Sequence, residues 1–192
     1  MDIAWLASAT GFALAMSATP GPNNAMVAAS AVNFGLRRSL PHIAGVSLGF
    51  PAMLVLVAVG AGEVLAASPG LQAALRWLGA AWMVWLAWKI GTAVPPEADG
   101  PAQGRPMSFL QAALFQWVNP KAWVIAGAAI LAYGASLLLA VIFALAAFAS
   151  LYLWALVGLG AARLLCSPAA LRWFNRAMAI LLLLSLVPVL RG

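Results

Sequence analysis

Long apolar runs alternate along the chain with short clusters of polar, proline and glycine positions, and the spacing of those clusters predicts helices of membrane length. No charged residue falls between Asp2 and Arg37, between Arg38 and Glu63, between Arg105 and Lys121, or between Lys121 and Arg163. A membrane-crossing helix needs about 20 mainly apolar residues, and turn and breaker residues mark where the longest gaps divide. Six spans result: Ile3 to Phe34, Ser39 to Ala66, Gly70 to Gly91, Met107 to Ala132, one from after "YGAS" to near Arg163, and one from Ala170 to Leu190. Arg76, Lys89, Arg172 and Arg176 lie in or at the ends of the third and sixth, where long side chains must carry the charge to the interface.

The first and fourth spans are interrupted. "TPGPNN" (residues 19–24) breaks the first, and Asn119-Pro120, inside "FLQAALFQWVNPKAWVIAGAA", breaks the fourth. Each break follows its entry point by about 12 to 17 residues, about 18 to 26 Å of helix, which places both well inside the membrane. A proline there removes a donor and clashes with the preceding turn, and lipid cannot satisfy the backbone groups it frees. Interrupted helices at matching positions of two inverted halves are the sequence pointer to a transporter's substrate site. The site expected from this pattern comprises Thr19, Pro20, Gly21, Pro22, Asn23 and Asn24 from one break and Asn119, Pro120 and Lys121 from the other. The asparagines bring donors and acceptors to the freed groups. Lys121 follows the proline that opens a half-helix, where the dipole disfavours a cation, so it calls for a substrate carboxylate or a partner carbonyl, with snorkelling to a polar surface as the alternative.

The one clearly polar linker, "TAVPPEADGPAQGRP" (residues 92–106), separates residues 1–91 from 107–192. Each part holds three spans, an odd number, so the halves of this single membrane domain (1–192) run in opposite senses. The expected fold is an all-α membrane protein: six transmembrane helices as two inverted three-helix repeats, with broken first and fourth helices.

Composition supports the bilayer as solvent. The chain is 65% hydrophobic and 7% charged, against a charged fraction of about 25% in soluble domains. A net charge of +6 does not imply nucleic acid, because no basic stripe is interleaved with aromatics. Seven basic residues fall in three connections on one side, and Arg76 and Arg191 on the other. The positive side is cytoplasmic, which puts both termini outside. The start, Met1-Asp2, lacks the basic residues of a signal peptide, so the first span is expected to be retained.

Catalytic chemistry is sparse. The single Cys166 excludes an internal dithiol or a multi-cysteine metal site. No Ser-His-acid set, His-acid cluster or phosphate loop is present, so no enzyme, metal or cofactor is expected. His42 titrates near neutral pH and Glu63 is the one acid near a span, which makes them the candidates for a coupling proton. A neutral His42 donating to a nearby carbonyl is the competing role. Gly45 and Gly49 form a small-xxx-small pair, and Trp82, Trp85 and Trp88 line one stripe; core packing or an interfacial belt accounts for both without chemistry.

"TPGPNN", then "NFGLRRSLPHIAGVSLGF" and later "NPKAW" together resemble the LysE/RhtB family of amino-acid exporters, along nearly the whole chain. The resemblance implies a secondary transporter that exports amino acids or related small metabolites across the bacterial inner membrane, driven by the proton-motive force. The lack of a mid-membrane acid favours a neutral amino acid. The competing function is a non-transporting membrane scaffold or a lipid-handling protein. Monomer or homodimer, and a first segment that spans or is re-entrant, are alternatives the sequence leaves open.

Overall fold

Prolines and glycines, more than polar loops, set the element boundaries of this protein. The computed structural model describes residues 2–93, 104–165 and 167–187, and every regular element among them is helical. They are α1 (Ile3–Ala18), α2 (Pro22–Leu56), a π-helical turn (Val57–Ala61), α3 (Gly62–Ala66), α4 (Pro69–Gly91), α5 (Phe109–Val118), α6 (Pro120–Tyr133), α7 (Leu137–Leu164) and α8 (Pro168–Leu184). Prolines occupy the first helical position of α2, α4, α6 and α8, where a missing N–H costs nothing. Two helical stretches, Pro22–Ala66 and Leu137–Leu164, are long and apolar enough to cross a membrane, while Ile3–Ala18, Phe109–Val118 and Pro120–Tyr133 are apolar but shorter. All three of the shorter ones begin or end at one of the two breaks.

Within α2, Gly35 adopts φ 77° and ψ 166°, a conformation open mainly to glycine, and divides the helix into arms of residues 22–34 and 36–56. The arms fold back on one another: Ser30 and His42, 12 residues apart, are hydrogen-bonded, a separation of about 18 Å along a straight helix. The second arm therefore opens at Leu36, three residues before the expected start at about Ser39. Arg37 and Arg38 belong to the first turn of the second arm, because one glycine makes the turn and arginine is a good helix former. Arg38 stacks over Phe34 at 5.4 Å and donates to the Gly104 carbonyl at 2.9 Å. Gly134 (φ 74°, ψ 167°) makes the corresponding turn between α6 and α7. The expected end of the last span at Leu190 lies outside the described residues, as do Glu97, Asp99, Cys166 and Arg191.

The first arm of α2 runs through the centre of the molecule, and α2 packs chiefly against α7 and α5. Backbones touch at glycines. A Cβ on Gly158 would lie 2.3 Å from the Ala28 carbonyl oxygen, and Cβ atoms on Gly45 and Gly49 would lie 2.3 Å from the Phe109 carbonyl oxygen and 2.5 Å from Ala113 Cα. The small-xxx-small pair thus lets α2 meet α5. Around this centre, Phe12, Phe50 and Phe143 pack edge to face between α1, α2 and α7, with centroids 6.2 and 5.2 Å from Phe143. A buried carboxamide pair, Asn33 and Asn175, exchanges two 3.0 Å hydrogen bonds and joins α2 to α8, which in turn packs against α4. Outward-facing Leu131, Leu137 and Leu164 are 76–90% exposed, an apolar surface of the kind lipid covers.

Candidate functional site at the crossing of the two breaks

When α1 stops at Ala18, its last carbonyls need partners, and four donors from three other elements supply them. Ser17 C=O accepts from Asn24 Nδ2 at 2.9 Å and from Ser150 Oγ at 2.8 Å. Ala18 C=O accepts from Trp154 Nε1 at 3.4 Å, and Thr19 C=O accepts from Lys121 Nζ. The preference of Lys121 is thereby explained: its charge lies at the negative end of α1's dipole, not at the positive end of its own helix. The lysine stem crosses Gly21 so closely that a Cβ there would lie 2.9 Å from Lys121 Cδ.

The second break is capped locally. Asn119 Oδ1 accepts from Lys121 N–H at 3.1 Å, and Trp123 Nε1 donates to Trp117 C=O at 2.8 Å. By contrast, the N-cap of α2 is Gly21, which has no side chain to offer, and no side chain among the described residues takes its place. A reciprocal pair then bridges the breaks: Asn23 Nδ2 donates to Gln116 Oε1 at 2.9 Å, and Gln116 Nε2 donates to Asn23 Oδ1 at 3.3 Å. Gln116 also donates to Ala112 C=O at 2.8 Å.

Pro22, Asn23, Asn24, Asn119 and Lys121 line one cavity of about 50 Å³, together with Gln116. Thr19 and Pro20 are exposed beside it, Gly21 is buried under Lys121, and Pro120 is half-buried at the start of α6. Sequence reading missed Gln116, although a glutamine between Phe115 and Trp117, just before the break, was the available signal. The two proton candidates stand apart from this cavity and from each other. Glu63 is exposed on α3, 21 residues beyond His42, and His42 is fully buried. Among the described residues His42 donates to no carbonyl: its Nδ1 pairs with Ser30 Oγ at 3.2 Å, because the turn at Gly35 brings that hydroxyl opposite the ring, and its Nε2 has no partner there.

The model of the family described as LysE type translocator matches residues 14–189. Cysteine/O-acetylserine efflux proteins of Escherichia coli (strain K12) and Shigella sonnei (strain Ss046) are each 41% identical over 110 residues, 57% of this chain and 55% of theirs. The chain thus spans about half the length of the curated relatives it matches. No solved structure matches it.

Proposed function

Because the chain belongs to the LysE type translocator family, we propose that it is a secondary transporter exporting small neutral amino acids or related metabolites, of the size and charge of cysteine and O-acetylserine, the compounds for which its relatives are named. The single observation that carries the site is the meeting of Lys121, the amide pair Asn23–Gln116 and the uncapped N-terminus of α2 in one cavity between two helix breaks. A helix N-terminus attracts a carboxylate, and Lys121 has further donors beyond the one given to Thr19. The amino-acid carboxylate binds there, with Asn24 and Asn119 holding the broken backbone open around it.

Six spans in two inverted three-helix repeats are supported by the matched breaks and by the twin glycines. Gly35 and Gly134 share φ/ψ of 77°/166° and 74°/167°, and each follows the proline that opens its half-helix by 13 or 14 residues. A cavity of about 50 Å³ is far below the roughly 300–1,000 Å³ of ligand sites, which fits a closed, substrate-free state of an alternating-access cycle. Transport across the inner membrane is driven by the proton-motive force, with His42 and Glu63 the candidates for the coupling proton and both termini outside. The test is uptake of a labelled amino-acid panel into inside-out vesicles. An exporter concentrates one class of solute, whereas a scaffold or lipid-handling protein concentrates none.

A further inference from the structure

A second and larger cavity, of about 310 Å³, lies between α2, α4 and the start of α5. We propose that it is a loading site, in which Lys89 and Arg105 hold the substrate's carboxylate before the substrate reaches the breaks; this rests on the export reading above. Its volume falls in the range of small-molecule sites, and the cavity at the breaks does not. Lys89 and Arg105 both line it, and no carboxylate stands among its described lining residues. Lys89 is held over the Trp85 ring at 4.7 Å, a contact that fixes the ammonium without neutralising it.

The lining also carries polar groups, on α2 and on α4, that lack partners among the described residues. His42 Nε2 and Trp82 Nε1 are buried and have no partner among the described residues, and both residues line this cavity, as does Ser30, which holds His42 Nδ1. Buried polar atoms are rarely left so, and a ligand with a polar side chain would satisfy them. The two cavities are also consecutive stations along the same helices. On α2, Asn23 and Asn24 line the smaller cavity, while Met26, Ala29, Ser30 and Asn33, at helical three- and four-residue spacing, line the larger. On α5, Gln116 lines the smaller and Gln111 the larger. On α5 the two stations are five residues apart, about 7.5 Å of helix. The larger cavity lies toward the Gly35 turn, the end that carries Arg37 and Arg38, so it meets the solute first on the cytoplasmic side.

The experiment uses the full chain in phosphatidylcholine vesicles, inside-out, and compares wild type with Lys89→Gln/Arg105→Gln; both side chains are exposed, so the fold does not depend on them. The probes are L-cysteine and L-cysteine ethyl ester, which lacks the carboxylate. The expected result is a KM for cysteine raised at least about tenfold, the loss of one charge-assisted contact, with the maximal rate kept and the ester unaffected. An unchanged KM, or equal effects on cysteine and ester, overturns the loading site. An effect that appears only when phosphatidylglycerol is added also overturns it, because the cations then serve a lipid headgroup. Should wild type transport nothing, the export reading fails separately, and the site is judged by equilibrium binding of cysteine to the detergent-solubilised chain. Binding lost in the double variant keeps the site, and absent or unchanged binding removes it.

Discussion

Gly21→Ala tests the crossing of the breaks without touching any hydrogen-bonding group. Gly21 has φ −171°, extended backbone that alanine adopts freely, so the cost of the substitution lies in the new methyl alone. That methyl would sit 2.9 Å from Lys121 Cδ and 3.1 Å from Nζ, inside van der Waals contact, and the flexible lysine must swing off the Thr19 carbonyl. A hydrogen bond from a charged group is worth about 1.5 to 3 kcal/mol. Lysine regains part of this from water, so the lower end applies, about a tenfold change in affinity. We expect the KM for cysteine to rise about tenfold in inside-out proteoliposomes. Lys121→Ala should raise it at least as much, and the double variant should be no worse than Lys121→Ala, because both changes remove the same contact. A silent Gly21→Ala, or one whose full effect adds to that of Lys121→Ala, refutes the role given to Lys121.

Single cysteines at Gly100 and Ser136 in a Cys166→Ser background should react with an impermeant thiol reagent in intact cells only at Ser136; labelling at Gly100 would reverse the orientation. His42→Gln is expected to leave substrate-for-substrate exchange intact. If gradient-driven export alone is lost, His42 carries the coupling proton, and if it persists with an unchanged pH profile, His42 is structural. Asn175→Ala leaves the buried Oδ1 of Asn33 without its donor, while Nδ2 keeps the Ala29 carbonyl at 2.7 Å, and should cost about 1 to 3 kcal/mol in denaturation of the purified protein, whereas Asn33→Leu/Asn175→Leu should cost less. Gly158→Val drives a side chain into the Ala28 carbonyl of the facing helix, a clash with backbone that cannot yield, and should abolish recovery of monodisperse protein.

The breaks were legible because proline and glycine act locally, through a missing N–H and a missing Cβ. Thr19 to Asn24 and Asn119 to Lys121 declared themselves for that reason. Even the demand of Lys121 for a carbonyl or a carboxylate followed from the dipole of its own helix. What answered the demand did not: Thr19 C=O is 102 residues away, and nothing in a single sequence couples the two. Asn23 with Gln116 and Asn33 with Asn175 were hidden for the same reason, since each carboxamide alone is an isolated polar residue. The turn at Gly35 falls inside the expected connection, but Arg37-Arg38 looks like a loop and is instead the opening of a helix. The larger cavity was invisible because Trp82 and Lys89 read as packing and snorkelling until α2 and α5 came to face them.

The four donors on the end of α1 make that helix a latch rather than a lever. Asn24, Ser150, Trp154 and Lys121 come from α2, α7 and α6, so drawing α1 away would break all four contacts in one step. At about 0.5 to 1.5 kcal/mol net for each neutral donor and about 1.5 to 3 kcal/mol for Lys121, the four contacts alone hold the end of α1 by about 3 to 7.5 kcal/mol, to which the packing of Phe12 on Phe143 and the bonds of Trp5 and Ser8 to Tyr133 add. Heat and ordinary fluctuation therefore leave α1 where it is. Only an incoming solute able to replace those donors, or a concerted shift that carries α2, α6 and α7 along with it, can unfasten the break.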